Sequence, residues 1–229
     1  MKRKREMEGK SEIRSAIEEL SMLVKAQPAT VGDINLDAAP IPTKPFLHVC
    51  TLILQVLDKI GPTMAVLRQD IHQNIQRLEN LCESDPTKYL NLIEILKKEE
   101  GEGNARKGSS CSKALLWLTR SMDFMVALLQ KLVKDPGQNM EQAVEESYNI
   151  TLKPRHGWIS SAAFKVALKL VPDNRTFISL LMAKDQNCDV LKEEMQTLIT
   201  LLVPFLEQIH SVMVRMFVNL SSSGFEFIG

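Results

Sequence analysis

Three short stretches of the chain carry side chains whose types and spacing suit chemistry. In Asp70-Ile71-His72-Gln73-Asn74-Ile75-Gln76-Arg77, a carboxylate, a carboxamide and a guanidinium fall at i, i+4 and i+7, which stacks them on one helical face. That face borders the apolar positions Ile71, Ile75 and Leu78. Such a row accepts and donates hydrogen bonds at fixed separations, as recognition of a polyhydroxylated group requires. A solvated helix flank with an Asp–Arg pair fits the same spacing. The second stretch centres on Trp117, a donor-bearing ring inside an apolar segment, with Lys113 one turn before it and Arg120 nearly one turn after. An indole is a flat platform for the C–H face of a sugar ring, and its N–H is costly to bury unpaired; a plain core tryptophan meets the pattern as well. The third is Lys153-Pro154-Arg155-His156-Gly157-Trp158, a break and restart between helices. There His156 can donate from one ring nitrogen and accept at the other. Trp158 is expected to be partly exposed, either as an anchor at a membrane interface or as a half-buried aromatic.

The elements that must position these groups are all helical. Phe46, Val49, Cys50, Ile53, Val56, Leu57 and Ile60 recur at helical spacing up to Gly61-Pro62, which marks a core-facing helix with a stop. A second helix over about 63–82 puts Leu67, Ile71, Ile75 and Leu78 on one stripe, and Ser84-Asp85-Pro86 offers the N-cap of a third over about 86–100. Glu99 to Ser110 reads as a polar, mobile surface loop. From Ser110 to Lys134 the chain is apolar nearly all round, so this helix is expected at the centre. Further helices are expected at about 139–152, 157–170, 173–184 and 187–219, the last crossing Pro204 with a kink. Neither period-two alternation nor an internal repeat interrupts this pattern, and the class is all-α.

Composition narrows the field. The 229 residues are 45% hydrophobic, enough for one sizeable core. Lys plus Arg equal Asp plus Glu at 28 each, which leaves no net field to attract nucleic acid from afar. The four cysteines, Cys50, Cys82, Cys111 and Cys188, show no CxxC pair or metal-ligand spacing, so reduced thiols in the cytosol are expected and no metal or cofactor. Met1 to Arg5 is basic but is followed by Glu6 and Glu8, unlike a secretory signal. No apolar run approaches the ~20 residues of a membrane span, and the longest, around Leu201 to Leu206, contains Pro204. Enzymatic chemistry is not expected: Asp70 lacks a second carboxylate opposed to it, with Asp123 the nearest candidate, and neither a nucleophile elbow nor a metal cluster occurs.

The stretches DIHQNIQRLE, ALLWLTRSMDF and HGWISSAAF, in that order, resemble the glycolipid transfer protein family, its plant-type members above all, over roughly residues 43–215. The resemblance implies a two-layer helical sandwich with a hydrophobic pocket between the layers. It also implies a function: transfer of a single glycosphingolipid, such as glucosylceramide, between membranes, its sugar at the surface and its chains in the pocket. On that likeness the headgroup and ceramide amide fall to Asp70, Asn74, Arg77, Trp117 and His156, with Lys113 beside the platform. Membrane contact falls to Trp158. The acyl pocket falls to Leu67, Phe124, Leu128, Leu152 and Phe164. The implied partners are the lipid and a transient membrane surface, with no obligate protein partner. The family domain would span 43–220, after an extension over 1–42 that is partly helical or disordered and before a frayed tail over 221–229. A ceramide-1-phosphate carrier or sphingolipid sensor is the alternative. Asn74 and Trp117 stand where a phosphate site would be expected to hold cations, whereas Arg77 and Lys113 leave the sugar's identity open.

Overall fold

The computed structural model describes residues 11–26, 40–184 and 186–222, and these form helices joined by short turns. The basic residues Met1 to Arg5 and most of the expected tail lie outside the described residues. The first described helix, α1 (Glu12–Ala26), buries Ile13, Ala16 and Leu20 at helical spacing against α2 (Thr43–Ile60) and the last described helix, α9 (Cys188–Ser222). Two ion pairs and a histidine–carboxylate hydrogen bond edge this contact. Lys59 Nζ lies 2.5 Å from Glu12 Oε2, Arg14 Nε donates to Glu194 Oε1 at 2.7 Å, and His48 Nδ1 is 3.0 Å from Glu19 Oε2. Pairs at the protein surface are each worth about 0–1 kcal/mol, whereas burying one large aliphatic side chain contributes about 1.5–3 kcal/mol. Apolar burial therefore fixes α1, and this part of the N-terminal extension is built into the core rather than appended to it.

Gly61 ends α2 with a φ of +107°, a conformation that favours glycine, and its N–H donates to Leu57 O at 3.1 Å. Pro62 then opens a 3-10 turn (Pro62–Met64) that leads into α3 (Ala65–Ser84). The apolar stripe of α3 is covered only from Ile71 onward. Ile71, Ile75 and Leu78 are buried, but Ala65, Val66 and Leu67 in the first turn are exposed.

The next helix starts later than its sequence suggested. Residues 85–90 form a turn, and α4 is Leu92–Gly101 with Asn91 as its cap, Asn91 Oδ1 accepting from Ile93 N at 3.1 Å. The reason is tertiary. Leu90 O and Leu92 N bond to Thr43 N and Ile41 O at 2.8 and 2.9 Å, and Asn91 Oδ1 also accepts from Ile41 N. These bonds spend the backbone of this segment on the chain ahead of α2.

Helix α5 (Cys111–Lys134) begins at its cap Ser110 and packs on α3, on α4, on α6 (Met140–Ile150) and on α9. A turn over Lys153–Arg155 leads to α7 (Trp158–Leu168), which leans on α6; α8 (Asn174–Leu181), capped by Asp173, returns to α2. Contacts run α1 to α2, α2 to α3, α3 to α5, α5 to α9 and α9 back to α1. That closed ring encloses the core, across which the Phe46 and Phe205 rings meet at 6.4 Å.

Helix α9 continues through Pro204. Its stretch Cys188–Met216 is long and apolar enough, by length and composition, to cross a membrane, which the sequence reading did not expect. In the fold its stripe of Leu191, Met195, Leu198, Leu202 and Leu206 is buried core. All four cysteines are free. Cys50, Cys82 and Cys111 are buried, and desolvation pushes the Cys111 thiol up to about 12, with the Glu99 carboxylate adding to it. Such thiols are unreactive.

Candidate functional site

Helix α3 carries the first group of side chains. Asn74 is buried, and its Nδ2 donates to Asp70 O at 3.0 Å, so part of its amide is used within its own helix. One turn on, Arg77 Nη1 reaches Gly108 O and Ser110 O, both at 3.4 Å. That arginine thus joins α3 to the loop ahead of α5. The Cys111 thiol closes the same seam, 3.5 Å from Arg77 O.

The loop itself is held by a residue that sequence reasoning placed at its mobile start. Glu99 is buried within α4, and its carboxylate accepts from Cys111 N and Ser112 N, both at 2.7 Å, and from Ser112 Oγ at 2.6 Å. A carboxylate on the first amides of a helix both satisfies them and suits the positive end of the helix dipole. Helix α5 therefore has a fixed start, and with it Trp117 has a fixed place.

Trp117 is half-buried. Its ring lies 5.4 Å from the His156 imidazole at a 42° tilt, and Arg120 Cζ stands 4.9 Å from its centroid. The second cation expected near this face, Lys113, is exposed. His156 follows the turn Lys153–Arg155, whose Pro154 halts any continuation of α6. Tyr148, from α6, approaches the same imidazole, with ring centroids 5.5 Å apart.

Electrostatics tie the three stretches together. Burial raises the Asp70 pKa above the ordinary carboxylate value, although its residue surface is largely open, and His156 and Arg77 act against that rise. Burial also lowers the His156 pKa, with Arg120 adding to the fall and Asp70 opposing it. The Arg120 guanidinium is lowered by burial and by Arg155, against Asp123. Asp123 in turn meets His210 Nε2 at 2.9 Å. Asp70, Arg77, Trp117, Arg120 and His156 thus form one neighbourhood drawn from α3, α5 and the turn before α7. A neutral histidine, a carboxylate, arginine forks and an indole face can together hold a neutral, hydroxyl-rich group by hydrogen bonds and stacking.

The apolar residues assigned to a pocket do not share one environment. Leu128 is buried, Phe124 and Phe164 pack half-buried against the core, and Leu152 is half-buried on the turn after α6. Leu67 is 40% exposed, because the first turn of α3 is uncovered. On α7, Trp158, Ile159 and Val166 are exposed. A shallow groove of ≈ 480 Å³ along α9, lined by Glu193, Gln196, Thr197, Thr200 and Leu201, shares no residue with the cluster. Among the described residues no group of three His, Cys, Asp or Glu side chains is arranged to hold a metal ion. Glu99 and Tyr148 were missed because neither lies in the three motif stretches, and each acts through a contact that closes only in the fold.

This all-helical frame belongs to a known class: the chain is a member of the glycolipid transfer protein family, whose model matches residues 41–183. Over 222 residues it is 60% identical to Glycolipid transfer protein 3 of Arabidopsis thaliana, covering 93% of this chain and 95% of that protein. It is 39% identical to Glycolipid transfer protein 1 of the same plant over 177 residues, covering 77% and 86%. Among solved structures, the GLTP-fold of FAPP2, which selects simple glycosphingolipids, superposes with a TM-score of 0.71 at 27% identity, covering 80% of this chain and 88% of that one. A mutant of Arabidopsis ACD11 complexed with C12 ceramide-1-phosphate superposes with a TM-score of 0.74 at 17% identity, covering 93% and 96%. That second likeness is one of fold.

Proposed function

We propose that this chain carries one glycosphingolipid at a time between membranes through the cytosol, without making or breaking a bond. The observation that carries the proposal is the meeting of Trp117 and His156 at 5.4 Å beside Asp70, because it sets an indole platform next to groups suited to an amide. The sugar stacks on Trp117 and bonds to Asp70, Asn74 and Arg77, while Asp70 and His156 hold the ceramide amide. The chains enter the apolar interior near Phe124, Leu128, Leu152 and Phe164, with Leu67 at its edge. Burial of acyl chains supplies ~0.8 kcal/mol per methylene, which offsets extraction from a bilayer, and the polar cluster selects the headgroup. Exposure of Trp158 and Ile159 at the start of α7 supports docking of that helix on a membrane surface.

A ceramide-1-phosphate carrier is the competing reading, favoured by the half-buried Arg120 with Arg155 near it. A competition assay for transfer between vesicles decides between them. Faster transfer of glucosylceramide than of ceramide-1-phosphate is expected; the reverse order would overturn the proposal.

A further inference from the structure

Tyr148 is 4% exposed on α6, yet its phenol reaches both the turn that carries His156 and the helix beyond. Its hydroxyl lies 3.2 Å from His156 Nδ1 and 3.3 Å from Ser161 Oγ, and its ring stacks on Phe164 with 3.5 Å between centroids and 6° between planes. Ser161 and Phe164 both belong to α7. One buried side chain from α6 therefore fixes the imidazole and fastens it to the helix whose first turn exposes Trp158 and Ile159. His156 Nε2 has no hydrogen-bond partner among the described residues.

A neutral imidazole carries one proton, so the bond made at Nδ1 dictates what Nε2 can do. Two proton arrangements fit these distances. In one, Nδ1–H donates to the phenol oxygen and the phenol donates to Ser161. In the other, Ser161 donates to the phenol oxygen and the phenol donates to Nδ1. The phenol O–H is more acidic than the serine hydroxyl, and the imidazole nitrogen is the most basic acceptor present, which favours the second.

We infer that Tyr148 is a positioning residue for lipid binding: its hydroxyl donates to His156 Nδ1 and thereby keeps Nε2 protonated as a donor toward an amide carbonyl. This rests on the proposal that His156 meets the ceramide amide. Discrimination by the linkage follows. An amide carbonyl is a stronger acceptor than an ester carbonyl, so the fixed donor favours a sugar on ceramide over the same sugar on diacylglycerol. The Phe164 stack keeps the phenol from turning away, and Ser161 supplies its remaining hydrogen bond.

The test uses Tyr148→Phe, which keeps the ring and its stack but removes the hydroxyl. Long-range proton–nitrogen spectra of the imidazole report the tautomer without any lipid. His156 is expected as the Nε2–H form in the wild-type protein and as a mixture in the variant. Affinity for glucosylceramide is expected to fall about five- to tenfold, the effect of one lost hydrogen bond, with about twofold or less for glucosyl diacylglycerol. If Tyr148→Phe does not fold, Ser161→Ala carries the test, with a smaller tautomer shift in the same direction. A wild-type His156 in the Nδ1–H form, or an unchanged tautomer and affinity in Tyr148→Phe, overturns the inference. A His156→Ala variant that binds glucosylceramide as tightly as wild type overturns the underlying role of His156 instead, a result separable from the tautomer spectra.

Discussion

The Glu99 carboxylate accepts hydrogen bonds from the backbone amides of Cys111 and Ser112, both at 2.7 Å, so a side chain near the end of α4 sets where α5 begins. Replacing Glu99 with Ala leaves those amides and the Ser112 hydroxyl unpartnered in a buried place. The expected cost is about 2–4 kcal/mol, read as a lower urea midpoint. Glu99→Gln retains one acceptor oxygen and should lose less. Because α5 carries Trp117, glucosylceramide transfer should fall in Glu99→Ala even where the protein remains folded.

Trp117 is predicted to be the platform for the sugar. Trp117→Ala should lower glucosylceramide transfer by about tenfold or more, from lost stacking and from release of Arg120, which now sits on the indole. Trp117→Phe keeps a smaller face and should fall between the two. Initial transfer rates between vesicles check this order.

Asp70 and His156 carry opposite linkage signs. Burial raises the Asp70 pKa above 3.8, so in the window above that value the folded state binds more protons than the unfolded one. Its favourable contribution is fully present below 3.8 and lost as pH rises through the folded pKa. Asp70→Asn should therefore raise the urea midpoint at neutral pH, with a gain that shrinks as the pH falls toward 3.8, while transfer is lost. Burial and Arg120 hold the His156 pKa below 6.5. Stability from neutral His156 is fully present above 6.5 and lost as pH falls through its folded value, so His156→Gln should flatten the midpoint against pH in that window.

Trp158 is 81% exposed. Trp158→Ala should change stability by no more than about 0.5 kcal/mol and still reduce the fraction of protein that sediments with lipid vesicles. Unchanged vesicle binding would remove α7 from the docking surface.

Leu20 tests whether α1 is part of the core. The residue is 1% exposed between α2 and α9, and Leu20→Ala should cost about 2–5 kcal/mol by denaturation. A change near zero would return α1 to the status of an appendage.

Where the sequence was legible, periodicity made it so. The stripes of Phe46 to Ile60 and Ile71 to Leu78, and the nearly all-apolar run from Cys111 to Val133, each declare a helix and the face it buries, and Gly61-Pro62 declares a stop. The start of α4 was not legible, because Ser84-Asp85-Pro86 is a sound local helix start that the bonds from Leu90 and Leu92 to Thr43 and Ile41 override. Leu67 matches the stripe, but whether anything covers it depends on neighbouring helices. The three motifs were legible one by one and the resemblance joined them, whereas the approach of the Trp117 and His156 rings is set by the fold. Glu99 looked like one charge in a polar run and Tyr148 lies outside the motif stretches, since what distinguishes each is the atom it reaches.

Native mass spectrometry of the full chain, purified from cells that make glycosphingolipids, tests the central claim most directly. The prediction is a complex with a single hexosylceramide that is absent from Trp117→Ala. A retained ceramide-1-phosphate, or a retained lipid without a sugar, would contradict it.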